Sequence, residues 1–331
     1  MTATITATAG PPPRGRVYRA VARQGVLVAL VLLVLFGALR YENFLGSFNI
    51  LSFLRYNAMF AYIALGMAFV IMTGGIDLSV GTTAALGAVV SAYLSPYGLL
   101  PGLVGGVLAG AAIGLLNGLI ITRLGILPFI TTLATMLAAS GTALLLAHNE
   151  TVSVSYDSGF VDVGQGDALG FPVPAWIAAV LYVLGWVLLN HTAFGRHVLA
   201  VGGGEDAARL MGLPVERTKL AVYLMSGALA GLAGVSLAAQ FGAGTPTEGT
   251  GWELFAIASV VVGGTLLTGG IGSVGSTLSG VLLLGLIFNI LNFENGMGWI
   301  SLSAYWQSVI RGAFLLLVVI LQSRLTARAR T

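Results

Sequence analysis

Long apolar stretches recur along this chain, at residues 25–39, 50–73, 81–94, 103–122, 129–147, 174–189, 220–241, 254–267, 275–291 and 305–321. A run of about 18 or more apolar residues is a candidate membrane helix, because inside hydrocarbon the backbone must satisfy its own polar groups. Ten such runs predict an all-α polytopic membrane protein. Three of them (25–39, 81–94 and 254–267) are too short to cross as straight helices, so broken, tilted or re-entrant segments are expected there. The composition agrees, with 57% hydrophobic and 8% charged residues and a mean hydropathy of +0.95. The 47 glycines suit the same class, since small residues let membrane helices approach closely.

Charge sets the orientation. With the N-terminus inside, 12 of the 15 basic residues fall on the inner side, and the outer side is mostly acidic. Both termini are then cytoplasmic. The organisation expected is a disordered cytoplasmic tail over 1–24, a membrane domain over 25–322 and a second cytoplasmic tail over 323–331. A signal peptide is the rival reading of 25–39, but no small-residue cleavage site follows. The outer loop 148–171 carries four acidic residues and no Lys or Arg, and reads as solvated. Basic residues beside spans give the isoelectric point near 9.3 without implying nucleic acid. The chain has no Cys and three scattered His, so a disulfide framework and a structural zinc site are excluded.

Residues 195–219, GRHVLAVGGGEDAARLMGLPVERTK, form the one long charged interval. Within it Gly204 leads into a short helix, and Glu205 and Asp206 put negative charge on its first turn. Arg209 stands four residues after Glu205, and Gly212 and Pro214 end the helix. Ala207, Ala208, Leu210 and Met211 give it an apolar side. A helix so short is unstable alone in water, so it is either part of a solvated loop or a cytosolic helix that docks on a soluble partner.

TGGIDLSVG at 73–81 breaks the second span from the third. Gly74 and Gly75 allow backbone conformations closed to other residues. Asp77 is an acid near membrane depth, where a charge is costly and is usually buried, paired or wetted; it or Ser79 is also placed to cap the third span. A second copy, TGGIGSVG at 268–275, lacks the Asp, and the pair suggests an internal repeat with broken elements. Asn57, Asn117, Thr131, Thr132, Thr135, Gln240, Asn289 and Arg311 are polar residues within spans. They suit a neutral, hydroxyl-rich solute, and they equally suit hydrogen bonds between helices.

Absences narrow the chemistry. There is no G-x-x-x-x-G-K-[ST] phosphate loop, and Lys219 is the chain's only lysine. No paired carboxylates at metal-ligand spacing, no H-E-x-x-H and no G-x-S-x-G occur. A catalytic site, a cofactor site and a metal site are therefore not expected.

Four stretches carry a resemblance: GGIDLSVG (74–81), GRHVLAVGGGEDAARLMGLP (195–214), TGWELFAIASVVVGGTLLTGGIGSVGST (250–277) and SLSAYWQSVIRG (301–312). Across roughly 50–322 the chain resembles the permease subunit of bacterial ATP-binding-cassette sugar importers of the ribose type. MGLPVERTKLAVY, GGTLLTGG and LNFENG look most like one of the two permeases of the galactofuranose importer. FNILNFENGMGWIS departs from the usual ribose-type ending. The resemblance implies a bacterial inner-membrane transporter subunit, not an enzyme, with no cofactor and no nucleic acid. Its partners would be an ATPase with two nucleotide-binding halves, a periplasmic sugar-binding protein and a second permease copy or paralogue, within membrane lipid. Gly204, Glu205, Ala208, Arg209, Met211 and Gly212 would belong to an ATPase-coupling helix. Asn57, Gly74, Gly75, Asp77, Ser79, Asn117, Thr131, Thr135, Asn289 and Arg311 would serve the pathway or its gating. Permeases for ribose or other pentoses, for branched-chain amino acids or for nucleosides share the plan. An ion-coupled carrier using Asp77 and Arg311 is the reading from another class.

Overall fold

A computed structural model describes residues 14–296, together with 306, 309–310 and 312–313. Arg311, the rest of the tenth run, and residues 1–13 and 323–331 lie outside the described part. The first nine apolar runs each become a helix: α1 (Arg14–Arg40), α2 (Ser47–Met72), α3 (Val80–Leu94), α4 (Leu99–Arg123), α5 (Pro128–Leu146), α7 (Val173–His191), α10 (Val215–Phe241), α11 (Trp252–Val262) and α12 (Val274–Gly296). A helical turn α6 (Asp162–Gln165) lies in the outer loop, and α8 (Ala193–Gly203) and α9 (Glu205–Leu210) occupy the long inner loop. Six of these helices, α2, α4, α5, α7, α10 and α12, are long and apolar enough to cross a membrane. Helix α1 begins at Arg14, inside the stretch expected to be a tail, while its apolar part, Gly25–Arg40, is short as expected. Arg and Ala are good helix formers, and Arg14, Arg16, Arg19, Ala20, Ala22 and Arg23 carry the helix back from the apolar run. Helices α3 and α11 are short throughout, each beside a glycine-rich break.

Helix α10 is the centre, packed against α2, α3 and α4. Apolar side chains gain little by leaving lipid for an equally apolar neighbour, so close van der Waals packing must hold these helices. Here the packing is done by glycine. Gly102, Gly106, Gly110, Gly114 and Gly118 recur at every fourth position of α4 and supply most of its buried face. Gly110 and Gly114 meet Gly227 and Gly231 of α10 backbone to backbone, and Gly234 of α10 lies against Ala84 and Ala88 of α3. Helix α2 supplies the bulk, with Tyr62, Phe69, Met59, Ile63 and Met67 among the largest fully buried side chains.

The outer loop is not a solvated tether. Its strand β1 (Val152–Ser153) pairs antiparallel with β4 (Ala243–Gly244), and β2 (Asp167–Ala168) pairs with β3 (Phe171–Pro172). Phe160 is fully buried against Gly102. Gln165 Nε2 donates to the carbonyl oxygens of Ala239 and Gln240, both at 3.1 Å. These contacts take up backbone acceptors at the outer end of α10. They come from isolated residues without periodicity, which is why the acidic composition alone suggested a free loop.

Candidate functional site

The inner loop is built from local rules. Thr192 opens α8 by accepting the Gly195 amide at 3.3 Å. After α9, Gly212 adopts φ +75°. The Gly212 amide donates to the Arg209 carbonyl and the Leu213 amide to the Ala208 carbonyl, each at 3.0 Å. This paired closure around a left-handed glycine is a Schellman motif. Ala208 is fully buried in a small cluster with Val201, Leu213 and Val215. The apolar side expected from the sequence is therefore divided. Ala208 faces the permease, whereas Ala207, Leu210 and Met211 are exposed at i, i+3 and i+4 on the outer face.

Glu205 anchors the helix. Its carboxylate meets Lys219 Nζ at 2.5 Å and Arg209 at 3.3 Å, and Arg209 also lies 3.8 Å from Glu216. The Lys219 pair ties α9 to the first turn of α10, a contact between residues too far apart for helix spacing to reveal. Partial burial works to raise the Glu205 pKa, but the bond and charge of Lys219, then of Arg209, outweigh it and hold it below the ordinary value. A lowered folded pKa contributes stability above the unfolded value, and that contribution fades as pH falls through the folded one.

Two distant breaks and this loop converge. The Gly270 amide, from the second TGGI copy, donates to the Met72 carbonyl at the end of α2 at 3.0 Å. Gly269 and Gly270 have φ of +83° and +77°. A Cβ on Gly269 would stand 2.8 Å from the Gly74 nitrogen and 2.9 Å from the Gly202 carbonyl oxygen. One on Gly270 would stand 2.8 Å from Gly203 Cα, and one on Gly202 would collide with the Met72 carbonyl oxygen. Backbone thus touches backbone where Gly74, Gly269–Gly270 and Gly202–Gly203 meet. The last of these pairs leads directly into α9.

Beside this joint runs a buried polar chain. The Thr135 hydroxyl donates to Asn117 Oδ1 at 2.6 Å, Asn117 Nδ2 to the Ser79 hydroxyl at 3.0 Å, and that hydroxyl to Asp77 Oδ1 at 2.6 Å. The Ser79 amide donates to the same Oδ1 at 3.0 Å, and the Ser226 hydroxyl donates to Oδ2 at 2.9 Å. Asp77, Ser79, Asn117, Thr135 and Ser226 are all buried, and the chain links α5, α4, the first break and α10. Ser226 was not singled out in the sequence, because a serine in an apolar span carries no signal of its own. Thr131 is buried one turn from Thr135, its hydroxyl without a partner among the described residues. Asn57 and Asn289 lie elsewhere. Asn57 donates to the Phe53 carbonyl at 2.8 Å and presses on Gly285, while Asn289 and Asn49 exchange hydrogen bonds at 2.9 and 3.3 Å. Among the described residues no cluster of metal-ligating side chains occurs.

Asp77→Asn should keep most function, because Oδ1 can still accept from Ser79 and the Ser226 hydroxyl can turn to accept from the new amide. Asp77→Leu leaves the Ser79 and Ser226 groups unpaired in a dry site, at about 1–3 kcal/mol each, and should leave little folded protein. Thermal melting of the two purified variants checks this. Equal melting of Asp77→Leu and the native protein would refute it.

Comparison with known proteins places the chain. The family model described as branched-chain amino acid transport system / permease component matches residues 49–319. The ribose import permease protein RbsC of Bacillus subtilis (strain 168) is 40% identical over 306 residues, covering 92% of this chain and 93% of that protein. RbsC of Escherichia coli (strain K12) is 36% identical over 306 residues, 91% and 94% of the two chains. The L-arabinose transport system permease protein AraH of Escherichia coli (strain K12) is 37% identical over 298 residues, 89% of each. No solved structure matches the chain.

Proposed function

Since this chain belongs to the family of branched-chain amino acid transport system permease components, we propose that it is the membrane subunit of an ATP-driven sugar importer in a bacterial inner membrane. A separate ATPase with two nucleotide-binding halves would bind at α9, and a periplasmic sugar-binding protein would deliver the solute to the outer face. The observation that carries this reading is the outward apolar face of α9, on a helix closed at its C-terminal end by Gly212 and anchored by the Glu205–Lys219 pair. A carrier working alone has no use for such a face. The joint of Gly74, Gly202–Gly203 and Gly269–Gly270 would pass movement of α9 to both broken elements. Gly204, Glu205, Arg209, Met211 and Gly212 would act at the ATPase contact, with Ala208 holding the helix from within. Gly75, Asp77, Ser79, Asn117, Thr131 and Thr135 would set the geometry of the first break. Asn57 and Asn289 stay assigned to the pathway, which would form against a second permease copy or a paralogue.

For the cargo we propose a monosaccharide. The names of the relatives point to the pentoses ribose and arabinose, while MGLPVERTKLAVY, GGTLLTGG and LNFENG support galactofuranose. Proteoliposomes holding the permease, its co-encoded ATPase and its binding protein test both levels. Uptake should require all three proteins and ATP, and the sugar retained by the binding protein should be the one taken up. Uptake by the permease alone under an imposed ion gradient would overturn the assignment and restore the ion-coupled carrier.

A further inference from the structure

We propose that the chain holds an anionic phospholipid in a cavity of about 610 Å³ at its inner end. The cavity lies between the α4–α5 connection, the start of α10, α9 and the first break. At its wall the Tyr223 side chain is 1% exposed, and its hydroxyl has no partner among the described residues. A buried hydroxyl without a bond is costly, and Tyr223 is among the residues that line the cavity.

The charges around the cavity are unequal in their commitments. Lys219 is bound to Glu205, and Arg209 to Glu205 and Glu216, so these charges answer one another. Arg123 also lines the cavity, is exposed, and makes no ion pair or hydrogen bond among the described residues. A phosphate oxygen would accept from both Tyr223 and the Arg123 guanidinium, which matches phosphate geometry. The rest of the ligand is read from the rim. Leu124 and Leu127 are exposed there, and Phe129, Ile130, Leu133 and Leu137 continue an exposed apolar face along α5. An anionic head in the cavity thus leads directly to a surface suited to acyl chains. The distribution of basic residues puts this end at the inner leaflet, where basic pockets between helices meet lipid headgroups.

The test uses the full chain, delipidated in mild detergent and titrated with phosphatidylglycerol, with bound lipid counted by native mass spectrometry. Phosphatidylcholine and inorganic phosphate are titrated in parallel. Phosphatidylglycerol should bind selectively. Arg123→Ala and Tyr223→Phe should each weaken it roughly tenfold, the loss of one charge-assisted bond and of one hydroxyl donor. Arg123→Lys should weaken it less. Arg123 is exposed, so its removal leaves packing intact, and that variant decides the matter if Tyr223→Phe lowers stability. Unchanged affinity in Arg123→Ala, equal binding of phosphatidylcholine, or saturation by inorganic phosphate without lipid would each overturn the proposal.

Discussion

Gly110→Leu should abolish accumulation of folded protein in the membrane. A Cβ at this position meets the Gly227 carbonyl oxygen and lies 2.7 Å from the Gly231 nitrogen and Cα. Those neighbours are backbone, so no side chain can swing away and α4 must separate from α10. Overpacking a core costs typically about 1–3 kcal/mol even where side chains can adjust. Separation here would also loosen Gly106 and Gly114, which share the same ridge. Intrinsic propensity runs the other way, since Gly is about 1 kcal/mol worse than the best helix formers; the expected loss is therefore a steric result. Gly141→Leu is the control. Gly141 lies in α5 with nothing within 4 Å of an added Cβ, and this variant should express and melt like the native protein or slightly above it. Membrane yield and thermal melting of both variants decide. Normal yield of Gly110→Leu would mean that α4 and α10 are not in backbone contact.

Leu210→Asp should prevent capture of the ATPase while leaving the permease folded. Leu210 is 90% exposed and Met211 69% exposed, so neither holds the chain together. Burying a leucine side chain contributes about 1.5–3 kcal/mol, and a carboxylate in its place adds a desolvation cost. Association should therefore fall by roughly tenfold to a hundredfold or more. Ala208→Trp should act differently, because the indole has no room among Val201, Leu213 and Val215. It should dislodge α9 from its own subunit and lower the melting temperature as well as docking. Arg209→Ala should do little, since exposed ion pairs are worth about 0.2–1 kcal/mol. Co-purification with the ATPase, run beside thermal melting, separates these outcomes. Full co-purification of Leu210→Asp would show that α9 docks on nothing.

What the sequence determined by itself was whatever depends on neighbours along the chain. Apolar run length is such a property, and it located nine helices, eight of them within about five residues of their observed ends; only α1 starts well before its apolar run, at Arg14. The boundaries of α9 are another, because Gly204, Gly212 and the Glu205–Arg209 pair act within a turn or two. Placing Asp77 and Ser79 at the start of α3 rested on the same local logic, but the expected cap does not form: Asp77 accepts the Ser79 amide just before the helix, and the Ser79 side chain makes no capping bond. Only the tertiary structure decided which groups meet across long separations. Whether Ala208 or Leu210 turns inward depends on Val201 and Val215 folding back onto α9. That Thr135, Asn117, Ser79, Asp77 and Ser226 form one chain depends on how α4, α5 and α10 are rotated. Helices apolar on every side carry no amphipathic stripe to announce that rotation. The meeting of Gly74, Gly202 and Gly269 was hidden for the same reason. Each glycine is explained locally by its own turn, and only the packed helices bring the three backbones into contact.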